Sequence, residues 1–348
     1  MEKSSAMIPG TPLLRQSPPW QTELAAAVTD PAELLALLGL GTELLPEARA
    51  AAHAFPLRVP RGFVARMARN DPDDPLLRQV LPLGEELHIH PDYTRDPVGD
   101  MAAQATPGVL HKYAGRVLLT ATGACAVHCR YCFRRHFPYA EANAAADHWQ
   151  GALAHIAADS SLREVILSGG DPLVLSDRRL AEFTRSLGAI PHVRRLRIHT
   201  RLPIVLPTRV NAELLDWLAH PRFQTVLVVH ANHAQEIDAA VVDACARLRT
   251  RGITLLNQSV LLRGVNDNAD ALAALSEALF AAGVLPYYLH LLDRVQGAAH
   301  FAVHDDVALD LMRQLNARLP GYLVPRLVRE VAGAPGKVPM AFALATPP

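Results

Sequence analysis

From residue 116 onward, short runs of β-branched and aliphatic residues alternate with longer stretches in which apolar positions recur every three or four residues. The short runs are RVLLTAT (116–122), EVILS (164–168), VRRLRIHT (193–200), TVLVVH (225–230), TLLNQSV (254–260) and LPYYLH (285–290). Between them lie ADHWQGALAHIAA, LAEFTRSLG, NAELLDWLAH, IDAAVVDACARLRTRG and ADALAALSEALFAAG, whose spacing predicts amphipathic helices. Strand followed by helix, repeated six times, implies an α/β fold of parallel strands joined by right-handed crossovers. Six units are too few for an eight-stranded barrel. They suffice for an open, partial (β/α)6 barrel in which the segments after the strands' C-terminal ends line a common mouth. A doubly wound sheet is the competing architecture.

Upstream the texture differs. Residues 1–20 are rich in Pro and Ser and are expected to form a flexible tail. From Gln21 to Phe55 an Ala/Leu pattern punctuated by Asp30 and Pro31 predicts short helices, and the prolines of 56–110, with the cluster NDPDDP, predict a loop-rich wrapping. The expected division is a tail (1–20), an N-terminal extension (21–110), the partial barrel (111–292) and a C-terminal segment (293–348). His88 and His90 alternate in HIH as candidate ligands, but among 16 histidines surface or hydrogen-bonding roles are the expectation.

Composition narrows the function classes. A chain of 348 residues, half of them hydrophobic and 20% charged, buries a large core. No apolar run is long enough for a signal peptide or a membrane span, so the expected location is the cytoplasm. With 34 basic and 34 acidic residues there is no net attraction to nucleic acid or to an anionic membrane, and a small-molecule substrate is the default. Three of the four cysteines fall within eight residues, too close to staple distant parts of a fold, which points to metal or redox chemistry.

Those cysteines are Cys125, Cys129 and Cys132, in a loop directly after the first strand of the alternating region. Four irons served by three thiolates leave one iron open, so a 4Fe–4S cluster is one reading. A structural zinc site closed by His128, His136 or Cys245 is the other. Cys245 lies within a helical pattern, VVDACARLRT, and is expected to be a core residue. The Cys-x3-Cys-x2-Cys loop after the first strand of a partial barrel resembles the signature of the radical S-adenosylmethionine (SAM) superfamily. That resemblance implies that SAM chelates the open iron, and that Ser168, Gly169, Gly170 and Asp171, ending the second strand, form the glycine-rich SAM-binding turn.

Only Lys3, Lys112 and Lys337 are lysine, leaving 31 of the 34 basic residues as arginine. Lys3 falls in the expected tail and Lys112 is a generic positive charge, whereas Lys337 sits in a turn-rich loop, GAPGKVP. Lysine alone among basic side chains forms a Schiff base with a carbonyl cofactor. On residue type alone, that role and a solvated loop lysine remain equal.

Together, RVLLTATGACAVHCRYCFRRHF, ILSGGDPL, RIHTRLPI, LLNQSVLLRGVNDN, PYYLHLLD and GKVP resemble the lysine 2,3-aminomutase family, radical SAM enzymes that also carry pyridoxal 5′-phosphate (PLP). NDPDDPLLRQV, YCFRRHFPYAE and LDRVQGAAHF are similar to the branch serving β-lysylation of elongation factor P. The resemblance implies that Lys337 binds PLP, that Arg134 clamps the substrate carboxylate, and that Asp293 and Glu330 hold the ε-ammonium of L-lysine. Glu330 departs from the family, where Asp is common. The resemblance further implies PLP-phosphate contacts at Tyr113 and Arg116, with His230 and Gln258 near SAM. It also implies (R)-β-lysine as product, an electron donor such as flavodoxin or ferredoxin, and a separate lysyl ligase that uses the product; a homo-oligomer is compatible with it. A glutamate-type aminomutase would place a cation where Asp293 and Glu330 stand. A zinc-containing binding protein and an RNA-modifying radical SAM enzyme also remain open, the latter at odds with the neutral charge and the Lys337 loop.

Overall fold

The computed structural model describes residues 19–341. The expected tail falls on residues 1–18, outside the described residues, except that Pro19 and Trp20 open a helix, Pro19–Ala25. Trp20 is buried, with the Arg209 guanidinium 4.6 Å above its ring, so ordered structure begins earlier than the polar composition suggests. Helices Pro31–Leu38 and Leu45–Ala54 follow. Asp30 caps the first of them, accepting from the Ala32 N–H at 2.9 Å, and Gly39 ends it in the left-handed region at φ 70°.

Ten strands then form one sheet in chain order: β1 (Gln104–Thr106), β2 (Val109–Tyr113), β3 (Arg116–Thr122), β4 (Glu164–Gly169), β5 (Arg195–Thr200), β6 (Gln224–Val229), β7 (Thr254–Val260), β8 (Leu285–His290), β9 (Arg326–Arg329) and β10 (Val338–Pro339). β3 to β9 are parallel, while β1–β2–β3 and β9–β10 pair antiparallel. Helices Gln150–Ala158, Asp177–Gly188, Ala212–Leu218, Ala239–Thr250, Ala269–Ala281 and Asp305–Arg318 lie between successive parallel strands. A doubly wound sheet reverses its strand order at a switch point. The strictly sequential order excludes that competitor. Among the described residues no pairing joins β10 back to β1, so the barrel is open.

The six expected parallel strands are present, and β9 adds a seventh. It comes from the C-terminal segment, which extends the barrel sheet itself. Along the strands, alternate residues go to opposite faces. Leu119, Leu167, Leu196, Ile198, Leu227 and Leu255 pack into the apolar core beneath the helices. The other face carries Arg116, Ser168, Arg197, His199, Gln258, Tyr288 and His290 and lines a cavity. The interior is therefore hollow, with charged and polar side chains set among apolar ones. Among the described residues no helix is long and apolar enough to cross a membrane.

Candidate active site

Cys125, Cys129 and Cys132 are free thiols on the loop that leaves β3, and all three line the cavity. Burial, reinforced by the neighbouring cysteines, pushes the Cys125 thiol well up and Cys132 to about 11. Without a metal Cys125 and Cys132 are thiols, and coordination would displace their protons. The loop is fixed from two sides. The Gly170 and Asp171 N–H groups donate to the Thr122 and Ala124 carbonyls at 2.7 and 2.8 Å. On the other side the buried Arg130 grips Glu86 with Nε at 2.8 Å and Nη2 at 2.6 Å and reaches the Phe55 carbonyl, while Arg135 Nη2 meets Glu86 at 2.7 Å.

The two glycines of the SGGD turn, expected at SAM, also meet a packing constraint from the protein itself. Gly169 has φ 112°, and a Cβ on Gly170 would lie 2.4 Å from the Ala124 carbonyl oxygen. It is the cysteine loop that comes close. Gly170→Ala is therefore expected to push that loop aside at a cost of about 1–3 kcal/mol, the usual range for overpacking. A lowered melting temperature together with a lowered iron content after reconstitution is the expected result; an unchanged iron content would separate the turn from the loop.

Asp171 lines the cavity and is held by the protein. Its carboxylate accepts from Thr200 Oγ1 (2.7 and 2.9 Å), the Arg201 N–H (2.7 Å) and the Leu173 N–H (3.1 Å). Those bonds tie β4 to β5 and leave the side chain committed to the protein.

Across the cavity, Val338 of β10 pairs with Arg329 of β9. The hairpin turns through Gly333 at φ 79°, and its register sets Lys337 beside Glu330, with Nζ 2.7 Å from Oε2. The Tyr113 hydroxyl donates to the other oxygen of Glu330, and Lys112 Nζ lies 4.0 Å from it. Lys112 in turn bonds Asp100 at 2.6 Å, and Asp100 takes Arg134 Nε at 2.6 Å. Arg134 Nη1 donates to Ser168 Oγ at 3.1 Å. Charges of alternating sign thus run from Lys337 to Arg134 along the cavity wall. Burial pushes the Asp293 carboxyl up to about 7. Burial also keeps the interior histidines neutral: His230 falls to about 3 and accepts from Gln258 Nε2 at 2.8 Å, and His199 and His290 are well below their usual value.

One cavity of about 850 Å³ brings together the three cysteines, Tyr113, Arg116, Arg134, Ser168, Gly169, Gly170, Asp171, His230, Gln258, Asp293, Glu330 and Lys337. His88 and His90 do not line it; the latter packs on Tyr93 with ring centroids 4.8 Å apart. Of the candidates for a fourth zinc ligand, Cys245 is removed by its place in the core, whereas each histidine has one ring nitrogen bonded to a carbonyl and the other available. His128 Nδ1 donates to the Pro56 carbonyl, His136 Nε2 to that of Gln296, and Cys245 is buried in the core beneath the helices. The N-terminal extension, whose sequence identifies no chemistry, supplies Asp100, Glu86 and Gln79 to the site's supports. Lys112, only a generic charge by sequence, belongs to the cavity wall too.

No family model matches the chain. An L-lysine 2,3-aminomutase of Escherichia coli is 54% identical over 93% of this chain and 95% of its own. One from Haemophilus influenzae is 48% identical over 95% and 98%. Among solved structures, a radical SAM methyltransferase from Sphaerobacter thermophilus aligns with a TM-score of 0.43 at 19% identity, over 64% of this chain and 68% of that one. Identity at this level across nearly the whole length shows that the chain belongs to the L-lysine 2,3-aminomutase family of isomerases.

Proposed function

We propose that this chain is a radical SAM, PLP-dependent L-lysine 2,3-aminomutase whose (R)-β-lysine product serves the β-lysylation of elongation factor P. The observation that carries the reading is a single cavity lined by three free cysteines, a hairpin lysine, a held guanidinium and two carboxylates. When bound, the 4Fe–4S cluster and SAM supply a carbon radical that takes and returns hydrogen, and PLP supplies an electron sink for the migrating nitrogen. The protein's share is attachment, orientation and a dry enclosure.

Cys125, Cys129 and Cys132 hold the cluster, the turn from Ser168 to Gly170 borders SAM, and His230 and Gln258 stand on the same side. Lys337 binds PLP, with Tyr113 and Arg116 at its phosphate. Arg134 arrives pre-oriented by Asp100 and Ser168, so its fork is set for a carboxylate before substrate enters. Asp293 and Glu330 make the far wall anionic, which suits an amino acid with a distal ammonium and disfavours one with a distal carboxylate. A low-potential donor of the flavodoxin or ferredoxin class reduces the cluster.

The deciding test is anaerobic. Protein reconstituted with iron and sulfide receives PLP, SAM, a reductant and L-lysine, and products are separated by chiral chromatography with mass detection. β-Lysine formed only when SAM and PLP are both present is the expected result. Deoxyadenosine without β-lysine would leave the radical chemistry standing and remove lysine as substrate.

Asp293 adds a pH signature. Its carboxyl titrates near 7 without substrate, whereas an ammonium beside it favours the ionised form. At acid pH, lysine must displace a proton to bind. The lysine KM is expected to fall as pH rises toward 7, by up to about tenfold per unit, and to level off above it. Asp293→Asn should raise KM roughly tenfold or more at pH 8 and flatten the profile, since one charged contact is worth about 1.5–3 kcal/mol. An unchanged KM in the variant removes Asp293 from the ammonium site.

A further inference from the structure

Arg201 follows the C-terminal end of β5 and is 5% exposed. Its Nη1 donates to Cys129 Sγ at 2.8 Å, and its Nη2 to Gln79 Oε1 at 2.6 Å and Glu236 Oε2 at 2.9 Å. Its backbone N–H is held by Asp171, and its guanidinium sits between the rings of Phe63 and Tyr131 at 5.3 and 5.8 Å. Glu236 is fully buried and is itself fixed, accepting from Gln79 Nε2 and from the backbone N–H groups of Asn232 and His233. The cation is thus neutralised by a carboxylate on one side. What remains on the other side is a directed N–H aimed at one sulfur, from a guanidinium that is itself 5% exposed.

That arrangement exceeds what holding a loop requires, since Arg130, Arg135 and the β4 turn already anchor the cysteine segment. Hydrogen bonds to cluster sulfurs, net charge and burial set the reduction potential of an iron–sulfur centre. A donor withdraws electron density from the thiolate and favours the state carrying the extra electron. We infer that Arg201 tunes the cluster, its N–H on Cys129 Sγ raising the reduction potential so that a one-electron donor of the flavodoxin or ferredoxin class can load it. The inference rests on the reading of Cys125, Cys129 and Cys132 as 4Fe–4S ligands. The electron enters from that donor and leaves to the SAM sulfonium as its carbon–sulfur bond breaks. Arg201 acts through Cys129 and is a positioning residue for that electron.

The test is an EPR-monitored redox titration of reconstituted wild type, Arg201→Gln and Arg201→Lys, with iron and sulfide measured on each sample. Arg201→Gln is expected to bind an electron at least tenfold more weakly, a midpoint about 59 mV lower or more for a one-electron couple. Arg201→Lys, which keeps the charge but loses the planar fork, is expected to fall between the two. Should the Gln variant hold no cluster, the Lys variant carries the measurement. A midpoint equal to wild type in a variant with full iron and sulfide overturns the inference. So does loss of the cluster from both variants, which would make Arg201 a structural anchor of the loop. A wild-type protein that assembles no 4Fe–4S signal would instead refute the cluster reading beneath it.

Discussion

Replacing Cys129 by alanine is expected to bring turnover to the uncatalysed background, a loss on the order of 10⁶-fold or more, because the step that makes the radical disappears with the cluster. Two thiolates do not replace three in a site where burial already holds the free thiols protonated. Metal binding must supply the free energy to remove those protons, and each ligand lost leaves less of it. The substitution also strands Arg201 Nη1, whose partner is Cys129 Sγ. An unpaired buried charged donor costs about 1–3 kcal/mol, so a modest fall in melting temperature should accompany the loss of iron. PLP attachment should persist, since the bonded partners of Lys337 and Glu330 lie on β2, β9 and the β9–β10 hairpin. Iron and sulfide analysis beside a PLP assay checks both halves. Full iron in Cys129→Ala would overturn the ligand assignment.

Much of the barrel is legible in the sequence because its strands obey one rule. RVLLTAT and TLLNQSV match β3 and β7 residue for residue, since β-branched runs between helical stretches have few other folds open to them. The strands that escape such a reading are short or unusual. β1 has three residues and β10 two, one of them proline, and β9 is hidden in a segment dominated by its turns. The hollow interior leaves a trace as well. VRRLRIHT alternates apolar Leu196 and Ile198 with Arg197 and His199, and that period-2 polarity marks a strand whose inner face meets a cavity.

The site is legible where a residue type is scarce or closely spaced, as with the cysteine triplet and Lys337. Its supports are not. Asp100 lies among prolines and loops with no local pattern to single it out, and only the fold brings it within 2.6 Å of Arg134 and Lys112. The rarity of lysine does mark Lys112, but a count carries no direction. The places of Gly169 and Gly170 follow from sequence, but their close approach to the cysteine loop does not, because sequence shows that the backbone must come close to something and not to what.

Lys337→Ala should likewise bring activity to background, on the order of 10⁶-fold or more, while leaving iron and sulfide at wild-type levels. Borohydride reduction of PLP-loaded protein, followed by peptide mass spectrometry, should place a phosphopyridoxyl group on residue 337 of wild type and none in the variant. Label retained elsewhere in the variant would refute the assignment. The apoprotein offers a second, independent readout. Burial tends to raise the Glu330 carboxyl, but the Lys337 ammonium 2.7 Å away, with the Tyr113 hydroxyl and Lys112, outweighs it and holds the group below its ordinary value. A carboxyl depressed in the folded state contributes stability above its unfolded pKa and loses it as pH falls through the folded one. Removing Lys337 deletes most of that contribution and leaves Glu330 with Tyr113 and a more distant Lys112. The variant should therefore be less stable than wild type at neutral pH, and the two melting curves should converge as the pH drops below the carboxylate range. A stability gap that is constant with pH would show that Lys337 and Glu330 do not share a charge interaction in solution.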